Sequence, residues 1–228
     1  MPSKQKTLLF FSGFVLSIGS FAIICTSLGT QSWVSSKVNF DKSNGSGYAL
    51  LSYGLFQVRH EKIDNGGLDT QLVIHQVLQL LKPGDSQHII QILVILILVV
   101  GLLCSFLGSA TTCLNSVSNP YLTFLGPLGV YIWASINGFA VLLAMVLFAS
   151  NTEANQMPKY LAQVLDQSTD QYHKSENTYG YSYWLLLPCI FLNIATIGVI
   201  YYYQHARYNK KKEQERPMEN ASKDVILF

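Results

Sequence analysis

Hydrophobic and polar positions alternate along the chain in long blocks. Four apolar blocks contain no Asp, Glu, Lys, Arg or His: residues 8–29, 89–113, 122–150 and 183–203. About 20 helical residues cross a hydrocarbon core of about 30 Å, and each block is long enough to do so. The pattern therefore predicts an all-α membrane domain that is a bundle of four transmembrane helices. A cleaved signal peptide is the alternative for the first block, although its apolar run exceeds the roughly 7–15 residues of such a peptide.

Basic residues at the ends of these blocks indicate the orientation of the chain. Such residues favour the cytosol, and an even number of spans puts both termini on one side. They are Lys4, Lys6, Arg207, Lys210, Lys211, Lys212 and Arg216. We therefore expect a multi-pass protein of the plasma membrane with both termini in the cytosol. The expected division is a cytosolic N-terminus (1–7), a membrane domain (8–203) with extracellular loops 30–88 and 151–182, and a cytosolic tail (204–228).

Two candidate modification sites follow from this orientation. Residues 44–46 form the sequon Asn-Gly-Ser in the first external loop, which makes Asn44 a candidate for N-glycosylation. Cys113 lies at the predicted cytosolic end of the second span and is a candidate for S-palmitoylation. The other cysteines, Cys25, Cys104 and Cys189, lie within spans and are interpreted as packing residues, so neither external loop has a disulfide.

The first external loop has the alternation of a β-hairpin. A turn-rich run at 41–47 separates an apolar stretch from alternate apolar positions through 48–58. Residues 68–81 instead place Leu and Val along one helical stripe, which Pro83 ends. We expect a small extracellular β-sheet followed by an amphipathic helix that leans on it or leads into the second span.

The second external loop is shorter and mixed. Pro158 suits the first turn of a helix, and apolar residues follow it at helical spacing. Residues 167–178 are polar and are expected to be irregular. Tyr183 and Trp184 then enter the fourth span at the membrane interface, the depth that such rings favour.

The spans themselves carry small and amide side chains rather than charges. Gly101, Ser105 and Ser109 recur at four-residue spacing, which lets helix backbones approach closely. Asn137 and Asn193 are the amides deep in the third and fourth spans, and we expect both to face the bundle interior and to hydrogen-bond there. A ligand or ion site is the alternative interpretation of the two amides.

The remaining chemistry gives no catalytic or cofactor site. The histidines are scattered without the spacing of metal ligands: His60, His75, His88, His173 and His205. The sequence has no phosphate-binding loop and no nucleophile motif. We therefore expect no enzyme, no catalytic residue, no metal and no cofactor. A net charge of +2 gives no reason to expect a nucleic-acid partner.

The tail combines a basic cluster with an apolar end. The cluster after the fourth span is expected to attract anionic membrane lipids. Beyond it the tail is polar and is expected to be disordered. Ile226 and Phe228, at the third-last and last positions, fit capture by a PDZ-domain scaffold, in which alternate side chains of an added strand fill pockets. The alternative is that this end lies back on the membrane.

Short motifs recur in a fixed order on this four-span frame. They are Leu28-Gly29-Thr30, Trp33, Tyr53-Gly54-Leu55-Phe56, Asn119-Pro120-Tyr121, Gly126-Pro127-Leu128-Gly129-Val130-Tyr131, Leu147-Phe148-Ala149-Ser150 and Ile226-Leu227-Phe228. Together they resemble the clarin family almost end to end. Clarins are in turn similar to the claudin-like tetraspan group, but this chain lacks the claudin cysteine pair and has Phe56 where claudins carry Trp in their Gly-Leu-Trp segment.

The resemblance implies a function as well as a fold. It implies a four-helix bundle with a small extracellular sheet, and an integral membrane organiser or scaffold whose partners are membrane lipids and other membrane proteins. Related clarins are linked to hair cells, actin-based protrusions and hearing. Two alternatives stay open: a claudin-like adhesion or barrier protein, and an auxiliary subunit of an ion channel.

Overall fold

The computed structural model describes residues 4–42, 45–64, 67–117, 126–166 and 171–224. Its elements in chain order are α1 (Lys4–Gly29), β1 (Val34–Lys42), β2 (Gly45–Tyr53), β3 (Gln57–Asp64), β4 (Gly67–Gln76), α2 (Val77–Leu80), α3 (Ser86–Val117), α4 (Pro127–Glu153), α5 (Met157–Asp166), β5 (Gln171–Tyr179), α6 (Tyr181–Trp184) and α7 (Leu186–Asp224). Four helices are long and apolar enough to span a bilayer, the last of them running through α6 and α7 from Tyr181 to Asn209. The predicted fold class, four spanning helices with a small antiparallel sheet, is confirmed.

The four spanning helices form a bundle in which α1 and α4 are diagonal to each other. α1 packs against α3 and α7, and α4 packs against the same two helices. Small side chains line these contacts, among them Gly13 and Ser17 of α1 and Gly101 and Ser105 of α3. Large apolar side chains face outward, as lipid exposure requires, with Phe139 being 67% exposed.

The sheet has the strand order β4-β3-β2-β1-β5 and is antiparallel throughout. Alternate residues of its strands point to one buried face, the inner face, which α5 covers with Met157, Leu161 and Ala162. The inner-face residues of β1 and β2 include Val38, Phe40, Leu51 and Tyr53, all at most 1% exposed. The expected hairpin is therefore present, as the β1–β2 pair, and the helix expected from Pro158 onward is α5.

Three expectations about the loops were wrong. Residues 68–81 were expected to be a helix, but Gly67–Gln76 is strand β4 and only Val77–Leu80 is helical. The reason is tertiary, because β4 pairs with β3 from Gly67 to Gln76, with one register shift, and its Val and Ile suit a pleated sheet. The expected strand across 48–58 is broken after Tyr53. Of the segment 167–178 that was expected to be irregular, residues 171–178 belong to strand β5, whose pairing with β1 gives polar residues backbone partners, and residues 167–170 lie outside the described residues.

The tail is helical rather than disordered over the residues described. α7 continues without a break from the membrane to Asp224. Lys, Glu, Gln and Arg have high intrinsic helix propensity, and a helix that is already formed extends without paying the nucleation cost again. The membrane span thus serves as the nucleus for the polar helix that follows it.

Candidate functional site

A cluster of four polar side chains, here called the hub, lies at the centre of the bundle. Asn137 Nδ2 of α4 donates to Ser20 Oγ of α1 at 2.9 Å and to Asn193 Oδ1 of α7 at 3.1 Å. Ser20 Oγ lies 3.0 Å from Cys189 Sγ, and Asn193 Nδ2 donates to the carbonyl oxygen of Cys189 at 2.9 Å. Asn137 is fully buried and Asn193 is 5% exposed. The hub therefore joins the diagonal pair α1 and α4 and ties α7 to both.

The fourth helix meets the hub through a glycine. A Cβ placed on Gly101 of α3 would lie 3.2 Å from Asn137 Oδ1, closer than an ordinary contact. Among the described residues Asn137 Oδ1 has no hydrogen-bond donor. A Gly101 Cα–H bond occupies the direction of the missing Cβ, so it points a weak donor at that oxygen. Gly101 is thus the residue that lets α3 approach the amide.

The chemistry of the hub suits positioning rather than transfer. All its members are neutral, and hydrogen bonds between membrane helices average about 0.6 kcal/mol each, with an upper value near 1.7. A few such bonds specify which helix faces meet, because an amide without a partner in hydrocarbon cannot hydrogen-bond to water instead. The hub can therefore fix the register of the bundle.

The other small residues predicted from the sequence have a different position. Ser105 and Ser109 are buried, but their hydroxyls donate to the carbonyl oxygens of Leu102 and Phe106 in the same helix, at 2.8 and 2.7 Å. They contribute small volume rather than links between helices. Cys113 is an exposed free thiol on α3, and its palmitoylation stays a prediction. Asn44, Ile226 and Phe228 lie outside the described residues.

A second candidate region, the mount, joins the sheet to the bundle. Trp33 is fully buried, and its Nε1 donates to the Ser27 carbonyl oxygen at 2.9 Å. Its ring lies 4.8 Å from the ring of Phe148 in α4 and 6.3 Å from that of Tyr183 in α6, centroid to centroid. Aromatic pairs at these separations add to the gain from burial. Residues of three separate helices therefore meet around one tryptophan.

Tyrosines on two strands complete the mount. The hydroxyl of Tyr53 lies 3.2 Å from Thr152 Oγ1 at the end of α4, and burial raises the pKa of Tyr53. Tyr179 of β5 donates to Glu153 Oε1 at 3.4 Å. Burial and the Glu153 carboxylate raise the pKa of Tyr179 to about 12. Both phenols therefore remain protonated donors throughout the physiological pH range.

Two glycines are needed where backbones cross in the mount. Gly180 donates its N–H to the Trp33 carbonyl oxygen at 2.8 Å, and a Cβ on it would lie 2.2 Å from the Ser32 carbonyl oxygen. A Cβ on Gly54 would lie 2.9 Å from Gln31 Cα. No side chain fits at either distance, so the connection after α1 can pass both strands only because these residues are glycine.

A third polar group, here called the clasp, fastens α5 to the inner face of the sheet. Asp166 at the end of α5 pairs with Lys62 of β3 and accepts from the Tyr172 hydroxyl of β5. His60 lies beside it on β3, with its Nε2 atom buried and without a hydrogen-bond partner in the described part of the chain. Burial lowers the pKa of His60, as do Lys62 and His75 to a smaller extent, and Asp166 raises it.

Sequence reasoning missed several of these residues. Ser20 lies on the buried stripe of α1 that also contains Gly13 and Ser17, and extending that spacing would have found it. Cys189 precedes Asn193 by one helical turn, and that spacing is the signal for it. Gly180 had no signal, because its need arises from a crossing that only the folded chain creates.

Comparison with known proteins agrees with this architecture. The family model described as Clarin-2-like matches residues 4–200. Clarin-3 of Mus musculus and Clarin-3 of Homo sapiens are 45% and 43% identical to the chain over 228 residues, covering all of each protein. Clarin-1 of Rattus norvegicus is 28% identical over 238 aligned positions, which cover 99% of this chain and all of that protein. By the family model and by these full-length relatives, the chain belongs to the clarin family.

Proposed function

We propose that the protein is a membrane organiser of the clarin type, a scaffold that holds partner membrane proteins and performs no catalysis. The observation that carries this proposal is the mount, where Trp33, Phe148 and Tyr183 join the sheet to three helices of the bundle. A rigid joint keeps the sheet at a fixed height and orientation above the membrane. That geometry suits a protein that positions partners.

The orientation and location form part of the proposal. The sheet and α5 lie at one end of the bundle, and the basic residues of the chain ends lie at the other. The preference of basic residues for the cytosol then places the sheet outside the cell and both termini inside. In this orientation Asn44, between β1 and β2 in the sequence, would lie on the side of the membrane where N-glycosylation takes place.

The cellular setting is proposed from family resemblance. Related clarins are linked to sensory hair cells, so we extend to this chain a role in organising membrane over actin-based protrusions, and through it a role in hearing. A PDZ scaffold that captures Ile226 and Phe228 would supply the cytosolic tether. The hub supports such a role because its hydrogen bonds keep the helices of the bundle in one register.

The test is imaging of the tagged protein in polarised epithelial and sensory cells. A variant with Ile226→Ala and Phe228→Ala tests the tether, and Cys25→Ala serves as a matched control on an exposed lipid-facing position. We expect enrichment in actin-based protrusions that the control keeps and the double variant loses. A continuous belt at cell–cell contacts that is the same in all three proteins would contradict the organiser proposal.

One observation favours a second candidate, claudin-like adhesion. In the described residues β4 pairs only with β3, so its other edge is open, and Ile74 on that strand is 50% exposed. Open edges recruit further strands. Aggregation of non-adherent cells that express the protein, abolished by a proline at position 74, would move adhesion ahead of the organiser role.

A further inference from the structure

The outer face of the sheet, which is turned away from α5, contains a groove that neither the hub nor the mount uses. Its volume is about 440 Å³. Sites for small ligands have volumes of about 300–1,000 Å³, so the groove is large enough to hold a small polar molecule. Its lining includes four charged side chains, Lys37, Arg59, Glu61 and Glu176, and the hydroxyls of Ser35 and Ser52.

Strand pairing arranges these side chains in two rows across the sheet. The first, here called the hydroxyl row, runs Arg59, Ser52, Ser35 and Thr178 through β3, β2, β1 and β5. The second, here called the acidic row, runs Glu61, Leu50, Lys37 and Glu176 through the same strands. The groove exists because the hydroxyl row has small side chains between larger neighbours.

The charges of the two rows are available to a ligand. Among the described residues Arg59, Glu61 and Glu176 make no ion pair. Lys37 also lines the groove, beside Glu176 in the acidic row, and its Nζ lies 4.4 Å from the centroid of the Tyr48 ring, one step farther along the sheet. The hydroxyl row therefore ends in a guanidinium without an ion-pair partner among the described residues, and the acidic row carries two such carboxylates with one ammonium, so that one negative charge is in excess.

The distance of each row from the bundle indicates which layer of the membrane surface that row can contact. Val34, Tyr53 and Tyr179 pair across the sheet at the level of the mount. A strand rises about 3.4 Å per residue, so the hydroxyl row lies about 3 Å beyond that level and the acidic row about 10 Å beyond it. Each headgroup layer of a bilayer is about 5–7 Å deep. If the hydrocarbon ends at the mount, where the uncharged blocks 122–150 and 183–203 end, the hydroxyl row would lie within that layer and the acidic row just above it.

We propose that this groove binds the headgroup of a zwitterionic phospholipid from the leaflet on the sheet side. In such a headgroup the phosphate is nearer to the acyl chains and the ammonium is farther out, which is the order of the two rows. Arg59 and the hydroxyls of Ser35 and Ser52 would hold the phosphate. Glu61 and Glu176 would hold the ammonium. The proposal requires only the four spans and the position of the sheet, and it is independent of the organiser role.

A second copy of the chain fits this face poorly. Two copies in one membrane would meet face to face about a two-fold axis parallel to the strands. With the axis at the middle of the groove, between β1 and β2, β3 of one copy would lie opposite β5 of the other, so Glu61 would face the Glu176 side chain of the second copy. Like charges in an interface repel each other, and the basic residues would face Thr178 and Leu50 instead.

The experiment uses the full-length protein in nanodiscs of equimolar phosphatidylcholine and phosphatidylglycerol with identical acyl chains. Native mass spectrometry after gentle extraction counts the lipids that remain bound. We expect the protein to retain phosphatidylcholine several-fold more than phosphatidylglycerol. The double variant Glu61→Gln/Glu176→Gln should lose that preference, and Arg59→Gln should lower the retention of both lipids.

The matched control is Asp41→Asn/His173→Gln, which removes an exposed hydrogen bond between side chains at the far end of the same sheet. It should leave lipid retention unchanged. Equal retention of the two lipids by the unaltered protein would overturn the proposal, whatever the variants do. So would an unchanged preference in a double variant that elutes as a folded species in size-exclusion chromatography.

Discussion

The bundle and the sheet are stabilised in opposite ways. In the bundle the polar side chains of the hub are buried beside apolar ones such as Leu98 and Val141, and many large apolar side chains face outward. In the sheet the apolar side chains of the inner face are buried under α5 together with the clasp, and the polar side chains of the hydroxyl and acidic rows face outward. The bundle keeps hydrogen-bonding groups away from lipid, and the sheet keeps apolar side chains away from water. The same chain therefore relies on the specificity of hydrogen bonds in the membrane and on apolar burial outside it.

The mount joins the bundle to the sheet, and changes in it are expected to lower the free energy of unfolding most. Trp33→Ala removes a fully buried indole and leaves a cavity between the sheet and α4, which should cost about 3–5 kcal/mol of unfolding free energy. Thermal unfolding of the purified protein in detergent measures this loss. Trp184→Ala is the matched control, because that ring is 52% exposed toward lipid and its removal should leave the midpoint almost unchanged.

Gly180→Ala should destabilise the mount by about 3 kcal/mol or more. The added Cβ would lie 2.2 Å from a backbone oxygen that cannot move independently of β1. Gly29→Ala, with no atom within 4 Å of its Cβ, is the control for a glycine at the same junction. Equal unfolding midpoints for the two variants would show that the chain does not cross as described.

In the bundle the corresponding change is smaller. Gly101→Ala forces its Cβ against Asn137 Oδ1 at 3.2 Å and should cost about 1–2 kcal/mol relative to Gly108→Ala. Gly108 is the control because its nearest neighbour lies at an ordinary 3.6 Å, and both changes gain the same helix propensity. Unfolding of the two variants by denaturing detergent compares them, and a Gly101→Ala protein as stable as Gly108→Ala would exclude the close approach of α3.

The smallest effect is a dependence on pH in the sheet. Because burial lowers the pKa of His60 below its ordinary value of 6.5, the folded chain keeps this ring neutral while the unfolded chain binds a proton. Stability is therefore full above pH 6.5 and declines as the pH falls below it, with Asp166 partly opposing the decline.

Unfolding midpoints between pH 5 and 8 test the pH dependence. His60→Gln should flatten the profile below pH 6.5, and His173→Gln, at an exposed ring, should leave it as it is. Parallel profiles for the unaltered protein and His60→Gln would remove His60 as the cause.

The sequence predicted the bundle better than the sheet, for a physical reason. An uncharged block of spanning length can satisfy its backbone in a bilayer only as a helix within such a bundle, so the four helices followed from the pattern of charged and apolar residues alone. The strand β4 did not, since residues 68–81 carry apolar positions compatible with either period and the partner β3 decided between them. The same holds for β5, whose polar sequence has no strand pattern and takes its conformation from β1. Gly180 and the clasp depend on crossings between distant segments, which no local pattern encodes.

The hub links the diagonal helices α1 and α4 through the hydrogen bond from Asn137 to Ser20. A double-mutant cycle of Ser20→Ala and Asn137→Leu measures that link directly, with unfolding free energies from reversible denaturation in detergent micelles. A second cycle replaces Ser20→Ala by Ser109→Ala, whose hydroxyl bonds within its own helix, and should give additive effects. We expect a coupling free energy of about 0.6–1.7 kcal/mol between Ser20 and Asn137. Additive effects of these two substitutions would contradict the link between α1 and α4.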